Sequence, residues 1–266
     1  MDILSHTFSG IAVGTVLASF SKGGFKTKSS IILVSGFGGA LPDLDAISMW
    51  SNFDSTIGNF FNLSHSGSQI YTGKWWYSHH GALHSLTFAV IIPFLFLLLK
   101  SLKPLFQERS LSRFTQKIAL NKLKILGFIL GFGVHLIEDM PTPAAYWGGV
   151  NLFWPSKTYS GGFGKIWWWN NYDIFLVIIG VIVLNIITLG FSKWLNAQKI
   201  TPFIFLLGFS LSLFQMNTRE FDFNYTGGAK HYQAYEQKSK EIQKEILGEK
   251  LYLMMKKFDD SMKLNF

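Results

Sequence analysis

The sequence predicts an all-α, polytopic integral membrane protein of about six helices, followed by a polar helical tail. Of the 266 residues, 48% are hydrophobic and only 15% are charged, whereas soluble domains carry about a quarter charged residues. Six apolar segments recur along the chain, at 7–20, 29–42, 84–99, 125–139, 172–191 and 201–216. So few charges argue against the alternative of buried helices in a soluble protein.

Each segment has features of a membrane helix. The first two are rich in Gly, Ser and Ala, which favours close helix packing in lipid. The third contains Pro93, which membrane helices tolerate. The run from Ile174 to Phe191 is long enough to span a bilayer. The other segments are shorter or interrupted by Gly, Ser and His, so we expect some to be tilted or partly interfacial.

The polar tail marks the boundary between two regions. Residues 1–216 form the predicted membrane-embedded domain, and residues 217–266 form a polar helical extension. Charge pairs four residues apart, such as Glu236 and Lys240, favour a helix in this extension. We expect it to be solvated or to pack over the outer face.

The distribution of basic residues predicts the orientation in the membrane. The formal charge is +8, and most of the excess lies in the loops after the first, third and fifth segments. If all six segments cross, these loops share one side, which is assigned to the cytoplasm. The charge is therefore a topology signal and not a nucleic-acid surface. The sequence contains no cysteine, which excludes disulfides and thiolate zinc sites.

Eight metal-ligand side chains occur at the predicted outer ends of four segments. Three imidazoles within six residues, directly before an apolar run, are costly in a membrane protein unless they bind something. His135 and Asp139 are four residues apart and so share a helix face. The eight residues are His6, Asp43, Asp45, His79, His80, His84, His135 and Asp139.

The types of these eight residues indicate which metal ions they would bind and which reaction those ions would support. Histidines and carboxylates without cysteine favour two divalent ions of the zinc or manganese kind. A pair of ions about 4 Å apart can activate water and stabilise in-line displacement at an ester, which points to phosphoester hydrolysis. Spacing alone leaves open which of His79, His80 and His84 act together. It also leaves open whether Asp45 binds an ion directly or holds a water.

At these residues the sequence resembles the YdjM-type family of predicted membrane-bound metal-dependent hydrolases. The matching elements are an N-terminal His6, Pro42-Asp43-Leu44-Asp45, the run from His79 to Ser85, and His135-Leu-Ile-Glu-Asp139 with Thr142. The resemblance covers about residues 1–190 and implies that His79 and His84 are the main ligand pair. His80 stands where the family usually has Arg. The ligand order is also similar to that of zinc phospholipase C, but the later His-x-x-x-Glu of that enzyme has no match, so a third zinc ion is not expected.

We therefore predict a metal-dependent hydrolase of the bacterial inner membrane, with its site on the periplasmic or extracellular side and a lipid or small-molecule phosphoester as substrate. Asp45 is predicted to be a bridging ligand or general base, and His80 and Thr142 to contact the substrate. The predicted metal ligands are His6, Asp43, Asp45, His79, His84, His135 and Asp139. Two alternatives remain: a divalent-metal transporter, and a membrane scaffold with a structural metal whose tail binds a partner.

Overall fold

The computed structural model describes residues 2–101, 111–226 and 229–262. In these residues the chain is all-α, and the six predicted apolar segments each lie largely within a helix, so the predicted fold class is confirmed. The helices are α1 (Ile3–Ser19), α2 (Phe25–Ala40), α3 (Gly67–Thr72), α4 (Leu86–Leu99), α5 (Leu111–Asp139), α6 (Tyr172–Gly190), α7 (Ala197–Asn217) and α8 (Ala229–Ser261).

The length and composition of the described helices fit a membrane protein. Residues Phe114–Asp139 of α5, together with α6 and α7, are long and apolar enough to span a bilayer. Helix α2 qualifies as a fourth span together with the 3₁₀ helix Pro42–Met49, from which it is bent by 46°. Helices α1 and α4, with 17 and 14 residues, are shorter than the roughly 20 residues of a typical span.

Close approach of helices α1, α2 and α5 depends on small residues. A Cβ atom at Gly39 would overlap the backbone oxygen of His6, and one at Gly38 would overlap the backbone oxygen of Phe128. The Gly- and Ser-rich sequence of α2 therefore lets its backbone touch two neighbouring helices. This contact fixes the start of α1 against the end of α2, where the predicted ligands occur.

Apolar side chains fill the remaining interfaces. Phe132 and Leu136 of α5 are fully buried against Ala89 of α4. On the other side of the bundle, Ile178 and Val181 of α6 pack in one cluster with Ala12 of α1. Helix α5 therefore lies between α4 and α2, while α6 and α7 cover α1.

The C-terminal extension packs on the folded domain. Trp167 is fully buried and stacks on Tyr235 of α8, with ring centroids 5.6 Å apart. The backbone N–H of Asp173 donates to the side-chain oxygen of Gln243 at 3.0 Å. Helix α8 is interrupted at Gly248, whose φ is 71°. The extension therefore covers the loop before α6, on the side of the bundle where α6 begins.

Candidate metal centre

Four separate parts of the chain bring their ligand-type side chains to one end of the helical bundle, which we call the site face. The contributing elements are the start of α1, the 3₁₀ helix after α2, the loop before α4 and the end of α5. The side chains that meet there are His6, Asp43, Asp45, His79, His80, His84, His135, Glu138 and Asp139. Histidines 6, 84 and 135 are fully buried.

Two imidazoles and two carboxylates surround one point. The Nε2 atoms of His84 and His135 lie 3.3 Å apart. Asp43 Oδ1 lies 3.7 Å and 3.6 Å from these two atoms, and Asp139 Oδ2 lies 3.7 Å and 3.0 Å from them. Ligand atoms 2.0–2.1 Å from a tetrahedral zinc ion are roughly 3.3 Å apart. Asp43, His84 and His135 therefore have the spacing of three ligands around one divalent ion, and Asp139 Oδ2 lies beside the same two imidazoles.

The other oxygen of each of these carboxylates points to His6. Asp139 Oδ1 lies 3.1 Å and Asp43 Oδ2 lies 4.0 Å from His6 Nε2. This nitrogen is buried and has no hydrogen-bond partner among the described residues. A buried polar atom without a partner is costly, and a metal ion would relieve that cost. The two carboxylates thus face two adjacent ligand positions.

All five histidines of the cluster turn the Nδ1 atom toward an oxygen. His135 Nδ1 donates to the backbone oxygen of Gly39 at 2.7 Å, and His80 Nδ1 donates to that of Gly149 at 2.8 Å. The remaining three Nδ1 atoms face carboxylates: His79 with Asp45 at 2.7 Å, His84 with Asp45 at 3.2 Å, and His6 with Glu138 at 2.9 Å.

These contacts fix the chemical form of the imidazoles. Four of these contacts, those of His6, His79, His80 and His135, have hydrogen-bond geometry. Carbonyl and carboxylate oxygens only accept hydrogen bonds, so the Nδ1 atoms of these four imidazoles carry the hydrogen and their Nε2 atoms are left to face a ligand. Metal-binding histidines commonly have this arrangement, with the second nitrogen oriented by an oxygen acceptor. The cluster has the donor set and the orienting contacts of a metal site.

The run of three histidines converges because the chain turns tightly. His80 has a φ of 59°, a left-handed conformation that is uncommon for residues other than Gly. A Cβ at Gly81 would lie 2.7 Å from the backbone oxygen of Ser78, so this position requires glycine. Ala82–His84 then forms a 3₁₀ turn. This geometry, which spacing alone left open, brings the rings of His79 and His80 to 4.7 Å and 4.6 Å from that of His84.

Aromatic side chains form a wall beside these histidines. The Trp147 ring stacks on His80 with centroids 4.7 Å apart, and the Tyr71 ring stacks on His79 at 4.4 Å. Trp147 Nε1 also donates to the backbone oxygen of Tyr71 at 2.8 Å. The wall restricts water around the imidazoles and holds their rings in place.

The electrostatic environment shifts the pKa values of His84 and His80 in opposite directions. Burial alone would lower the pKa of His84, but the carboxylates of Asp45 and Asp43 raise it to about 10. Burial, followed by the charges of His79 and His84, holds the pKa of His80 well below its ordinary value. His84 therefore carries a proton that a metal ion would replace, while His80 is neutral.

Three side chains have contacts that the sequence did not reveal. Glu138, absent from the predicted set, contacts His6 and also accepts a hydrogen bond from the Ser9 hydroxyl. The only sequence feature that could have indicated a role for Glu138 was its position next to Asp139 at the end of α5. Asp45 contacts the Nδ1 atoms of two histidines. The Thr142 hydroxyl donates to the backbone oxygen of Asp139 at 2.7 Å and so closes the end of α5.

Comparison with known proteins gives one match. The model of the family described as "YdjM inner membrane protein" matches residues 1–219, which include every residue of the cluster and end close to the last residue of α7. No curated protein and no solved structure matches the chain.

Proposed function

The chain belongs to the YdjM inner membrane protein family, and we propose that it is a membrane-bound metal-dependent hydrolase that cleaves a phosphoester. Its site would lie on the periplasmic or extracellular side of the membrane, because the basic loops predict the opposite side to be cytoplasmic. The substrate would be a lipid or another envelope precursor that reaches the site face.

One observation carries the proposal: both carboxylates of Asp43 and Asp139 face the same two ligand positions. One oxygen of each is 3.0–3.7 Å from the Nε2 atoms of His84 and His135. The other oxygen of each is 3.1–4.0 Å from His6 Nε2. Paired ions bridged by carboxylates are typical of enzymes that displace an ester oxygen in line.

The protein side chains have distinct roles in this proposal. His84 and His135 would hold one divalent ion of the zinc or manganese kind and His6 would help to hold a second, while Asp43 and Asp139 would offer carboxylate oxygens to both. Such ions supply Lewis-acid stabilisation of phosphoryl oxygens and activation of water. Asp45, predicted as a bridging ligand or base, is assigned instead to orienting His79 and His84, because both of its oxygens face Nδ1 atoms.

His79 and His80 line the side of the cluster next to the aromatic wall. His80 is neutral and its Nδ1 donates to Gly149, so its Nε2 can accept a hydrogen bond but cannot donate one. We therefore assign His80 to orienting water or a substrate hydroxyl and not to clamping an anion. This reassignment fits the presence of His where the family usually has Arg.

The proposal is tested by metal analysis and hydrolysis with one pair of variants. Purified wild-type protein should contain about two zinc or manganese ions per chain by mass spectrometry of the elements. It should also hydrolyse p-nitrophenyl phosphate, its bis ester or a phospholipid. Asp139→Ala should lose both the metal and the hydrolysis, whereas Asp222→Ala, which removes an exposed carboxylate, should retain both.

The results separate the proposed enzyme from the two alternatives. Metal content that is unchanged in Asp139→Ala would contradict the site. Bound metal with uptake into proteoliposomes and no hydrolysis would favour a transporter. The placement of the ligands at helix ends argues against that alternative, because transport sites usually lie near the middle of the membrane.

A further inference from the structure

An apolar cavity of about 310 Å³ lies between α1, α5, α6 and α7. Its volume is at the lower end of the range of small-molecule pockets, about 300–1,000 Å³. The lining includes Ala12, Val134, Ile178 and Phe205, all from helices of the membrane-embedded domain. We call this space the interhelical cavity.

The cavity is elongated along the helices. On α6 its lining extends from Ile174 to Val181, and the seven steps between these residues cover about 10 Å at 1.5 Å per residue. On α7 it extends from Phe205 to Asn217, which covers about 18 Å. Since α6 begins and α7 ends at the site face, the cavity extends from that face toward the membrane interior.

The charged groups of the lining occur at one end of the cavity. Glu138, Lys165 and Asn217 line it at the site face, whereas Val181 and Phe205 line its deeper part. The charged end contains one carboxylate, Glu138, which contacts His6 and the Ser9 hydroxyl, and one cation, Lys165. Because Glu138 is engaged by the cluster, Lys165 outside and hydrocarbon inside complement an anionic lipid in the same leaflet. Lys165 supplies the positive charge for a phosphate, and the deeper part has the apolar surface for an acyl chain.

The outer end of the cavity adjoins the metal centre. Glu138 lines the cavity and contacts His6, and Ser9, another lining residue, donates to Glu138. The backbone N–H of Lys165 donates to the oxygen of Pro141 at 2.7 Å, only two residues after Asp139. The backbone of Lys165 therefore adjoins the end of α5, where the ligand cluster begins.

We propose that the interhelical cavity binds an acyl chain of an anionic phospholipid and that Lys165 binds the lipid phosphate. This inference rests on the proposed function, because it specifies a lipid phosphoester as the substrate. The acyl chain enters from the bilayer between the helices, and the ester remains at the site face. A water-soluble phosphate ester lacks the part of the ligand that fills the cavity.

Two serine substitutions on α7 provide a matched test. Ser212 lines the cavity, whereas Ser210 is exposed and is not among the lining residues. Ser212→Phe should fill the cavity, and Ser210→Phe adds the same ring to another face of the same helix. We would measure binding of labelled dioleoyl phosphatidic acid to the full chain in detergent, without turnover, and metal content in parallel.

Ser212→Phe should weaken phosphatidic acid binding by at least about tenfold, which corresponds to about 1.4 kcal/mol, because the added ring occupies space that the acyl chain needs. Ser210→Phe should bind like the wild type, and both variants should keep their metal. Lys165→Ala should also weaken lipid binding. Glycerol 3-phosphate, which has the phosphate but no acyl chain, should bind much more weakly than the lipid.

Equal lipid affinity of the two phenylalanine variants would overturn the proposal, and so would equal affinity of wild-type protein for glycerol 3-phosphate and phosphatidic acid. Failure of the proposed function would be seen differently, as a wild-type protein without bound metal or hydrolysis. Because lipid binding is read without turnover, the two failures are distinguishable.

Discussion

Two buried groups of charged side chains near the site face neutralise their carboxylates in different ways. Asp173, at the start of α6, receives hydrogen bonds on both oxygens from Nη2 of Arg219, each at 2.8 Å. The side chains of this pair are 3% and 1% exposed. In the metal centre, by contrast, Asp43 and Asp139 face imidazoles, which are neutral in the form that binds metals.

The Asp173–Arg219 pair is a structural ion pair, whereas the metal centre is a candidate ligand site. A buried carboxylate needs a compensating charge, and Asp173 obtains it from a guanidinium within the chain. The metal centre contains four carboxylates and five imidazoles, and when the imidazoles are in the neutral form that binds metals, the carboxylates need cations from outside the chain. The first group is complete when the protein folds, whereas the second has the donor set that a metal ion would complete.

Breaking the ion pair is expected to have the largest effect on stability. Arg219→Met should lower the free energy of unfolding by about 3–5 kcal/mol, because Asp173 is left buried without its partner. Thermal unfolding in detergent, with metal content measured alongside, would test this. The double variant Arg219→Met/Asp173→Leu should recover most of the lost free energy of unfolding. Its metal content should stay near that of the wild type. A stable Arg219→Met protein would mean that the ion pair is dispensable.

Removing metal is expected to have the next largest effect and to act only on the metal centre. Treating wild-type protein with EDTA should lower the free energy of unfolding by about 2.7 kcal/mol relative to protein in free metal at 100 times the dissociation constant. Thermal unfolding before and after chelation measures this, and zinc or manganese should reverse it. Asp139→Ala should not respond to EDTA. An identical response of this variant and the wild type would show that the metal binds elsewhere.

Changing an orienting contact is expected to have the smallest effect. Asp45→Asn keeps the shape of the side chain but loses the charge and one acceptor for the histidine Nδ1 atoms. Metal affinity, measured by competition with a chelating dye, should fall about 10- to 100-fold, as for other residues that orient metal ligands. The control is Asp54→Asn, outside the cluster, which should leave affinity unchanged. Wild-type metal affinity in Asp45→Asn would contradict the proposal that Asp45 orients the histidines.

The sequence allowed the helices and most of the cluster to be predicted, because both depend on local patterns. Apolar runs marked the six segments, and the positions of His6, His84 and His135 at segment ends indicated a common side. The geometry between these residues was not predictable. It depends on how closely α1 and α2 approach at Gly39, whose carbonyl also orients His135, and sequence spacing carries no information on that distance.

Other features were missed because their signals are not local. Glu138 is one acid beside Asp139, and only the packing of α1 on α5 shows that it contacts His6. The interhelical cavity is formed by four helices from distant parts of the chain. The extension after residue 217 was predicted as a polar helix, yet its packing depends on aromatic contacts such as that between Trp167 and Tyr235.

The contact between His6 and the end of α5 has a consequence for biosynthesis. His6 and Glu138 are separated by 132 positions, so the ribosome must synthesise more than half of the chain before the two side chains can meet. The first helix therefore enters the membrane while its histidine lacks its final partners. The contacts of His6 with the end of α5 therefore have to form after insertion of α5, and any ion that this cluster holds would be bound during maturation and not during translation.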